Sequence, residues 1–233
     1  MPSVLITGAS RGFGRALLDV FAARQWTVFP LVRDAGLAAR LCFGHGQSCH
    51  PVVADVATEG VGPAIAEVLG RHLGALDLLI NNAGSIRKTR GAAAADPADF
   101  DEAFQTHCVG ALRCVKAALP FLRRSPQATV VNVTSRWGSI ARTEAGMGGG
   151  IYSYQIAKCA QNMLSACLDQ ELRPEGIRVF ALHPGRLLTA VAAADADTPP
   201  EEAAARLADW VVAVDRDAPC GIHDLTGGVL IPW

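Results

Sequence analysis

Two side chains four residues apart, Tyr154 and Lys158, form a candidate acid–base pair. The helical pattern over residues 153–173 places them on one face of a helix. A free tyrosine has a pKa of about 10 and exchanges protons poorly at neutral pH. A neighbouring ammonium favours the phenolate and lowers that pKa. By itself, such a pair is more often a solvated or half-buried contact, so its function depends on the surrounding residues.

Ser135 is the second candidate for chemistry. It follows the apolar residues 129–133, which predict a buried strand. Open α/β sheets bind ligands at the carboxyl ends of their strands. A serine hydroxyl there can donate a hydrogen bond to a developing alkoxide, which is worth a few kcal/mol in a dry site. Taken alone, Ser135 also fits an ordinary turn at a strand end.

The stretch over residues 4–18 is typical of a nucleotide-binding turn. Three apolar residues predict a buried strand, and a helical pattern follows Thr-Gly-x-x-x-Gly-x-Gly. Gly8 permits a tight turn, Gly12 allows the backbone to approach phosphate, and Gly14 allows close packing of helix and strand. A pyrophosphate would then bind the free N–H groups at the positive helix end. A plain connection between strand and helix is the alternative.

Strand and helix patterns alternate along the whole chain. Strands are expected at residues 4–6, 27–32, 51–54, 76–80, 129–133, 178–182 and 229–231, and helices follow the glycine turn and lie near residues 35–40, 63–73, 97–124, 153–173 and 200–214. This order predicts an α/β fold, a single-domain doubly wound parallel sheet of the Rossmann type with about seven strands and helices on both faces. Pro30 lies inside the second strand, where we expect a local irregularity.

Composition excludes several classes of protein. The 233 residues suit one domain, and a net charge of −1 disfavours nucleic acid or an anionic membrane as partner. Seven cysteines without a Cys-x-x-Cys motif suggest neither a disulfide framework nor a zinc site, and no metal is expected. We find no signal-peptide pattern and no apolar run of the ~18 residues that a membrane span needs. A cytoplasmic location is therefore expected.

Taken together, the motifs resemble the short-chain dehydrogenase/reductase superfamily over essentially the whole chain. The motifs that carry the resemblance are residues 7–14, Asp55, residues 81–84, Ser135, Tyr154 with Lys158, and Pro184-Gly185-x-x-x-Thr189. Residues 135–140, the glycine run before residues 151–154, and the terminal residues 231–233 are similar to the C-factor and sniffer-like carbonyl reductases.

The resemblance implies a role for each matching residue. Tyr154 would donate a proton to a carbonyl oxygen, Ser135 would bind that oxygen, and Lys158 would hold the nicotinamide ribose and lower the pKa of Tyr154. Residues implied to contact the cofactor are Thr7, Gly8, Ser10, Arg11, Gly12, Phe13, Gly14, Arg33, Asp55, Val56, Asn82, Ala83, Gly84, Tyr154, Lys158, Pro184, Gly185, Leu188 and Thr189. The substrate loops would lie at about 136–151 and 186–200.

His107 departs from the family pattern, which usually has asparagine there in a proton relay behind the lysine. An imidazole can both donate and accept a hydrogen bond, so His107 is a candidate catalytic residue that would titrate near pH 6.5. A structural histidine fits equally well. The interval from Ser135 to Tyr154 is longer than in most family members, which leaves the substrate open.

These features predict an NADPH-dependent reductase of a ketone or aldehyde, reversible as an alcohol dehydrogenase. A nucleotide-binding signalling or regulatory protein with weak or no catalysis is the alternative, and a nucleotide-sugar epimerase or dehydratase is a further competitor. NADP(H) is favoured over NAD(H), because Arg33 and Arg11 can bind a 2′-phosphate, although a shift in register would make Asp34 a ribose ligand. The uncharged residues 187–194 and Trp137 predict a small, apolar or aromatic carbonyl or alcohol substrate. The resemblance also implies a homodimer or homotetramer.

Overall fold

The computed structural model describes residues 1–190 and 195–233. Its strands are β1 (Ser3–Thr7), β2 (Thr27–Val32), β3 (Val52–Val53), β4 (Leu78–Asn81), β5 (Thr129–Val133), β6 (Arg178–His183), β7 (Ile222–Asp224) and β8 (Leu230–Ile231). Its helices are α1 (Gly12–Ala23), α2 (Ala35–Phe43), α3 (Val61–His72), α4 (Pro97–Phe104), α5 (Gly110–Leu122), α6 (Ile140–Glu144), α7 (Tyr152–Leu172) and α8 (Pro200–Ala213).

The strands form one sheet, in the order β3-β2-β1-β4-β5-β6-β7-β8. All neighbours are parallel except β7 and β8. After β3 the chain crosses to the other side of β1, so the strand order reverses between β1 and β4. A reversal of this kind opens a crevice at the carboxyl ends of the strands. The predicted doubly wound fold is confirmed.

Alternate side chains of the strands fill two apolar layers. Val4 and Ile6 pack with Leu17 of α1 on one face of the sheet. Leu5 points the other way and packs with Val115 of α5. Helices α1 and α8 cover the first face, and α3, α5 and α7 cover the second. The strands have continuous apolar runs, which are typical of strands buried on both sides. Helices on both faces of the sheet therefore match the prediction.

The helix expected over residues 97–124 is interrupted. Between α4 and α5 the segment Gln105–Val109 forms a wider π-helical turn. The extra residue in this turn changes the face on which the following side chains lie. As a result His107, at its centre, is buried with 2 % of its surface exposed.

Pro30 leaves β2 unbroken, in register opposite Ile6 of β1. The carbonyls of Val28 and Val32 accept hydrogen bonds from residues 50 and 54. Pro30 lies between them, so the donor it lacks would face β3. The expected irregularity is therefore in the partner strand, because β3 pairs with β2 only at Val52 and Val53.

One disulfide corrects the cysteine argument. Cys42 and Cys49 are bonded, with their Cα atoms 5.3 Å apart. Helix α2 ends at Phe43, and a short turn at Gly46–Ser48 reverses the chain, which brings the two cysteines into bonding range. A disulfide is uncommon in a reducing compartment, so the cysteines no longer support the cytoplasmic expectation. In the described residues no helix is long and apolar enough to cross a bilayer, and no group of three or more His, Cys, Asp or Glu side chains could hold a metal.

Candidate active site

The glycine turn lies at the crevice and leaves room for a phosphate-bearing ligand. Gly8 and Gly12 have positive φ angles of 68° and 54°. A Cβ on Gly14 would lie 2.2 Å from the carbonyl oxygen of Gly8, so only glycine allows α1 to start this close to the strand end. Arg11, at the N-cap of α1, makes no side-chain capping hydrogen bond. The start of α1 is thus suited to bind an anion through its backbone N–H groups.

Thr7 joins this turn to the end of β4. Its Oγ1 accepts hydrogen bonds from the backbone N–H groups of Asn82 at 3.0 Å and Ala83 at 2.9 Å. The Asn82 amide nitrogen donates back to the carbonyl oxygen of Thr7 at 3.0 Å. The two strands on either side of the crevice are therefore fixed to each other, which gives the floor of the predicted cofactor site its shape.

The residues expected at the adenosine end lie together at the edge of the sheet. Arg33 Nη1 lies 3.7 Å from Asp55 Oδ2, and the Arg33 side chain is 78 % exposed. Asp55 also accepts a hydrogen bond from the backbone N–H of Ala57. Asp34 caps α2 by accepting from the backbone N–H of Leu37 at 2.5 Å. At the predicted ribose position, Asp34 thus serves as a helix cap, and the exposed Arg33 guanidinium lies beside Asp55.

Ser135 and Tyr154 are brought together at the carboxyl end of β5. Ser135 caps the short helical turn Arg136–Gly138 and accepts from the Trp137 backbone N–H at 3.2 Å. Its side chain also forms a hydrogen bond with Tyr154, which lowers the pKa of that phenol. Burial is the larger effect, and the pKa of Tyr154 is raised overall. The predicted lowering of the Tyr154 pKa is therefore wrong for the net pKa, although the Lys158 ammonium lies over the Tyr154 ring, 5.8 Å from its centre.

Lys158 is held by two buried acceptors. Its Nζ donates to the carbonyl oxygen of Val133 at 2.7 Å and to Gln161 Oε1 at 2.8 Å. Lys158 is 4 % exposed and Gln161 is 1 % exposed. Burial lowers the pKa of Lys158 to about 7. The sequence reasoning missed Gln161, although a polar residue three positions after the lysine on the same helix face was a usable signal.

His107 lies directly behind Tyr154, with the two rings edge to face at a centroid distance of 5.4 Å. Its Nε2 lies 2.7 Å from the carbonyl oxygen of Ser85, while its buried Nδ1 has no partner among the described residues. Burial and Lys158 lower the pKa of His107 to about 3. The expectation that it titrates near pH 6.5 is therefore wrong. The ring also explains Gly84, whose Cβ would lie 2.6 Å from His107 Cε1.

The loop after β6 closes the crevice from the opposite side. Gly185 has a φ of 105°, and Thr189 Cγ2 lies 3.4 Å from the position of a Cβ on Gly12. Thr189 thus lies next to the glycine turn. Leu188 is half exposed. Part of the apolar stretch expected to cover the substrate, residues 191–194, lies outside the described residues.

The other expected substrate loop, at about 136–151, places the aromatic side chain of Trp137 next to Tyr154. The Trp137 ring meets Tyr154 edge to face, with centroids 6.3 Å apart. Trp137 packs on Gly149, where a Cβ would lie 2.6 Å from the indole. Ile140 and Met147 in the same loop are about half exposed. The unpredicted helix α6 lies within this loop.

Comparison with known proteins agrees with this geometry. A family profile described as short chain dehydrogenase matches residues 2–200. The C-signal protein of Myxococcus xanthus is 34 % identical over 160 residues, covering 69 % of this chain and 94 % of that protein. The NADPH-bound carbonyl reductase from chicken fatty liver is 26 % identical, with a TM-score of 0.90 over 100 % of this chain and 99 % of that one. The carbonyl reductase Sniffer of D. melanogaster is 25 % identical, with a TM-score of 0.88 over all of both chains.

Proposed function

The chain belongs to the short-chain dehydrogenase family, and on that premise we propose that it is an NADPH-dependent reductase of a ketone or aldehyde, reversible as an alcohol dehydrogenase. The observation that carries the proposal is the hydrogen-bonded pair of Ser135 and Tyr154 beside the buried Lys158, at the crevice next to the glycine turn. The similarity to two carbonyl reductases supports the same reaction class.

NADP(H) fits the crevice better than NAD(H). The start of α1 without a side-chain cap would bind the pyrophosphate, and Arg33 with the exposed Arg11 would bind the 2′-phosphate. The Asp34 carboxylate, which could instead bind a ribose 2′-hydroxyl, already accepts the Leu37 N–H through Oδ1 as the cap of α2. The chicken reductase of similar structure was solved with NADPH. When bound, the cofactor supplies the hydride.

Tyr154 would hold the proton that the reduced carbonyl oxygen receives. Because burial raises its pKa, the phenol stays protonated at neutral pH, which suits reduction. The Ser135 hydroxyl would bind the same oxygen and stabilise its developing negative charge. The ammonium of Lys158 would bind the nicotinamide ribose and favour the phenolate left behind by proton transfer. The reverse reaction needs the phenolate first, so oxidation would be slower at neutral pH.

We further propose that the part of the substrate next to the reacting carbonyl is apolar or aromatic. Trp137 lies against Tyr154, and the half-exposed side chains of Ile140 and Met147 line the same loop. Apolar walls exclude water and strengthen the hydrogen bonds to the carbonyl oxygen. The homodimer or homotetramer is proposed from the family alone, and the cytoplasmic location is proposed from the sequence.

A signalling role without catalysis is the second candidate, because of the similarity to the C-signal protein. The two functions are separated by following NADPH oxidation by the purified protein with a panel of apolar, aromatic and charged ketones and aldehydes. We expect turnover with at least one carbonyl compound and none with Tyr154→Phe. Tight NADPH binding without turnover of any compound would refute the reductase and favour the regulatory function.

A further inference from the structure

A cavity of about 530 Å³ is lined in part by the two expected substrate loops but by none of Ser135, Tyr154 and Lys158. Its lining includes four arginines, Arg136, Arg142, Arg186 and Arg206, together with His183. Arg136 directly follows Ser135, and His183 directly precedes Pro184 and Gly185. The cavity therefore borders both segments that enclose the reacting groups.

Three of the four arginines are paired with carboxylates. Arg136 Nη2 lies 2.7 Å from Asp195, Arg186 pairs with Asp195 and Asp197, and Arg206 pairs with Glu202. Arg142 has no carboxylate within ion-pair distance among residues 1–190 and 195–233. Its guanidinium is the one cation of the lining whose charge is not already compensated by a contact.

Two buried polar atoms of the lining have no hydrogen-bond partner in the described chain, Arg142 Nε and His183 Nδ1. His183 is 6 % exposed, and burial lowers its pKa, so the ring is neutral at neutral pH although Asp224 opposes the shift. Unpaired buried polar atoms are rare and costly. Both therefore indicate a ligand that enters this cavity.

The remaining polar groups of the lining define the chemistry of that ligand. The threonine hydroxyl donors of the lining are already used, since Thr198 Oγ1 donates to Asp197 at 2.8 Å and Thr226 Oγ1 donates to Asp224 at 2.7 Å. The guanidiniums contribute only donors, and Arg142 Nε is one without a partner in the described chain. Four ion pairs compensate Arg136, Arg186 and Arg206, and Asp224 adds a further negative charge to the lining. The cavity therefore suits one small anionic group at Arg142 and not a polyanion.

We propose that this cavity binds a carboxylate or phosphate group through Arg142 and His183. The group belongs either to the substrate itself, a reading that rests on the proposed reductase function, or to a separate small anion. A charge-assisted bidentate contact with the Arg142 guanidinium would satisfy its unpaired Nε, and the imidazole N–H of His183 would supply a second donor.

The direct test is calorimetric titration of inorganic phosphate into the protein at constant ionic strength. NADP⁺ is present at saturation so that phosphate binds neither at Arg33 nor at the start of α1. We expect phosphate affinity to fall at least about tenfold in Arg142→Gln, as for the loss of one charge-assisted contact. Arg142→Lys should recover part of it. The matched control is Arg71→Gln, an arginine that pairs with Glu67 on the surface of α3, and its affinity should stay unchanged.

Equal phosphate affinity in wild type and Arg142→Gln, or no saturable binding in wild type, would overturn the proposal. The source of the anion is then decided with a keto acid and its methyl ester as substrates. A preference for the acid that disappears in Arg142→Gln assigns the group to the substrate. An unchanged acid-to-ester ratio, with phosphate binding retained, assigns it to a separate anion. Failure to reduce any carbonyl compound would refute the reductase function, and the phosphate titration would still decide the cavity.

Discussion

Replacing Gln161 by leucine tests how the protein controls the charge of Lys158. The Gln161 amide oxygen is one of two acceptors of the Lys158 ammonium, at 2.8 Å, and both side chains are almost fully buried. The pKa of Lys158 is already lowered to about 7 by burial. Removing an acceptor in such surroundings further disfavours the charged form, so the variant should hold a neutral lysine at neutral pH.

The magnitude follows from the strength of the lost contact. A hydrogen bond to a charged group is worth about 1.5–3 kcal/mol, and one pKa unit corresponds to about 1.4 kcal/mol, so the pKa of Lys158 should fall by about one to two units. At pH 7 the ammonium fraction then drops from about half to about a tenth or less. If the ammonium assists proton transfer from Tyr154, kcat at pH 7 falls about five-fold or more.

The assay is the pH profile of kcat for carbonyl reduction, corrected for NADPH loss in acid. We expect the alkaline limb of Gln161→Leu to move to lower pH, so that acidification restores much of the activity. The isosteric Gln161→Glu places a carboxylate beside the ammonium and should move the same limb to higher pH. Opposite shifts cannot come from a packing defect common to both variants. Superimposable profiles for the three proteins would refute the reasoning.

Three further predictions concern the proposed acid, the cofactor and the buried histidine. Tyr154→Phe should lower kcat by a factor of about 10² or more and leave NADPH binding unchanged. The control is Tyr152→Phe at the start of α7, where the tyrosine is 41 % exposed, and this variant should keep its activity. Loss of activity in Tyr152→Phe and not in Tyr154→Phe would overturn the assignment. Arg33→Asp should weaken NADPH binding by about one to two powers of ten and leave NADH binding nearly unchanged, and equal losses for both would contradict the 2′-phosphate contact. Because the pKa of His107 is about 3 in the folded protein and 6.5 in the unfolded chain, only the unfolded chain takes up its proton between these values. The free energy of unfolding should therefore fall by about 1.4 kcal/mol per pH unit below pH 6.5 through this residue, and denaturant titrations should show less of that loss in His107→Asn. The kcat profiles of wild type and His107→Asn should run parallel between pH 5 and 8, and an acidic limb seen in wild type only would refute the lowered pKa.

Much of the fold could be predicted because buried parallel strands read as apolar runs. β1, β5 and β6 were expected within one residue of their observed ends. The strand β7, Ile222–Asp224, could not be predicted, since two of its three residues are polar and it is defined by pairing with β6 and β8. The disulfide could not be predicted for a related reason, because the turn that joins Cys42 to Cys49 has no strong sequence signal.

The placement of the candidate reacting residues was predictable for a different reason. Ser135, Tyr154 and Lys158 are recognised by their types and their positions at a strand end and a helix start, and folding brings them together as expected. The charges of these groups were not predictable. Burial raises the pKa of Tyr154 and lowers that of Lys158, and burial depends on every element packed around the site.

His107 and Gln161 show why part of the candidate site could not be predicted from the sequence. They are 54 positions apart, on the π-helical turn and on α7, yet both line one small pocket. Lys158 contributes to the lowered pKa of His107 and donates to Gln161. The neutral imidazole of His107 and the neutral amide of Gln161 do not repel the buried ammonium. Neither carries a negative charge that would hold Lys158 in its protonated form. Gln161 reads as an isolated polar residue in a helical pattern, and His107 is singled out only by its departure from the family pattern. Their common neighbour Lys158, whose pKa is about 7, makes them one arrangement.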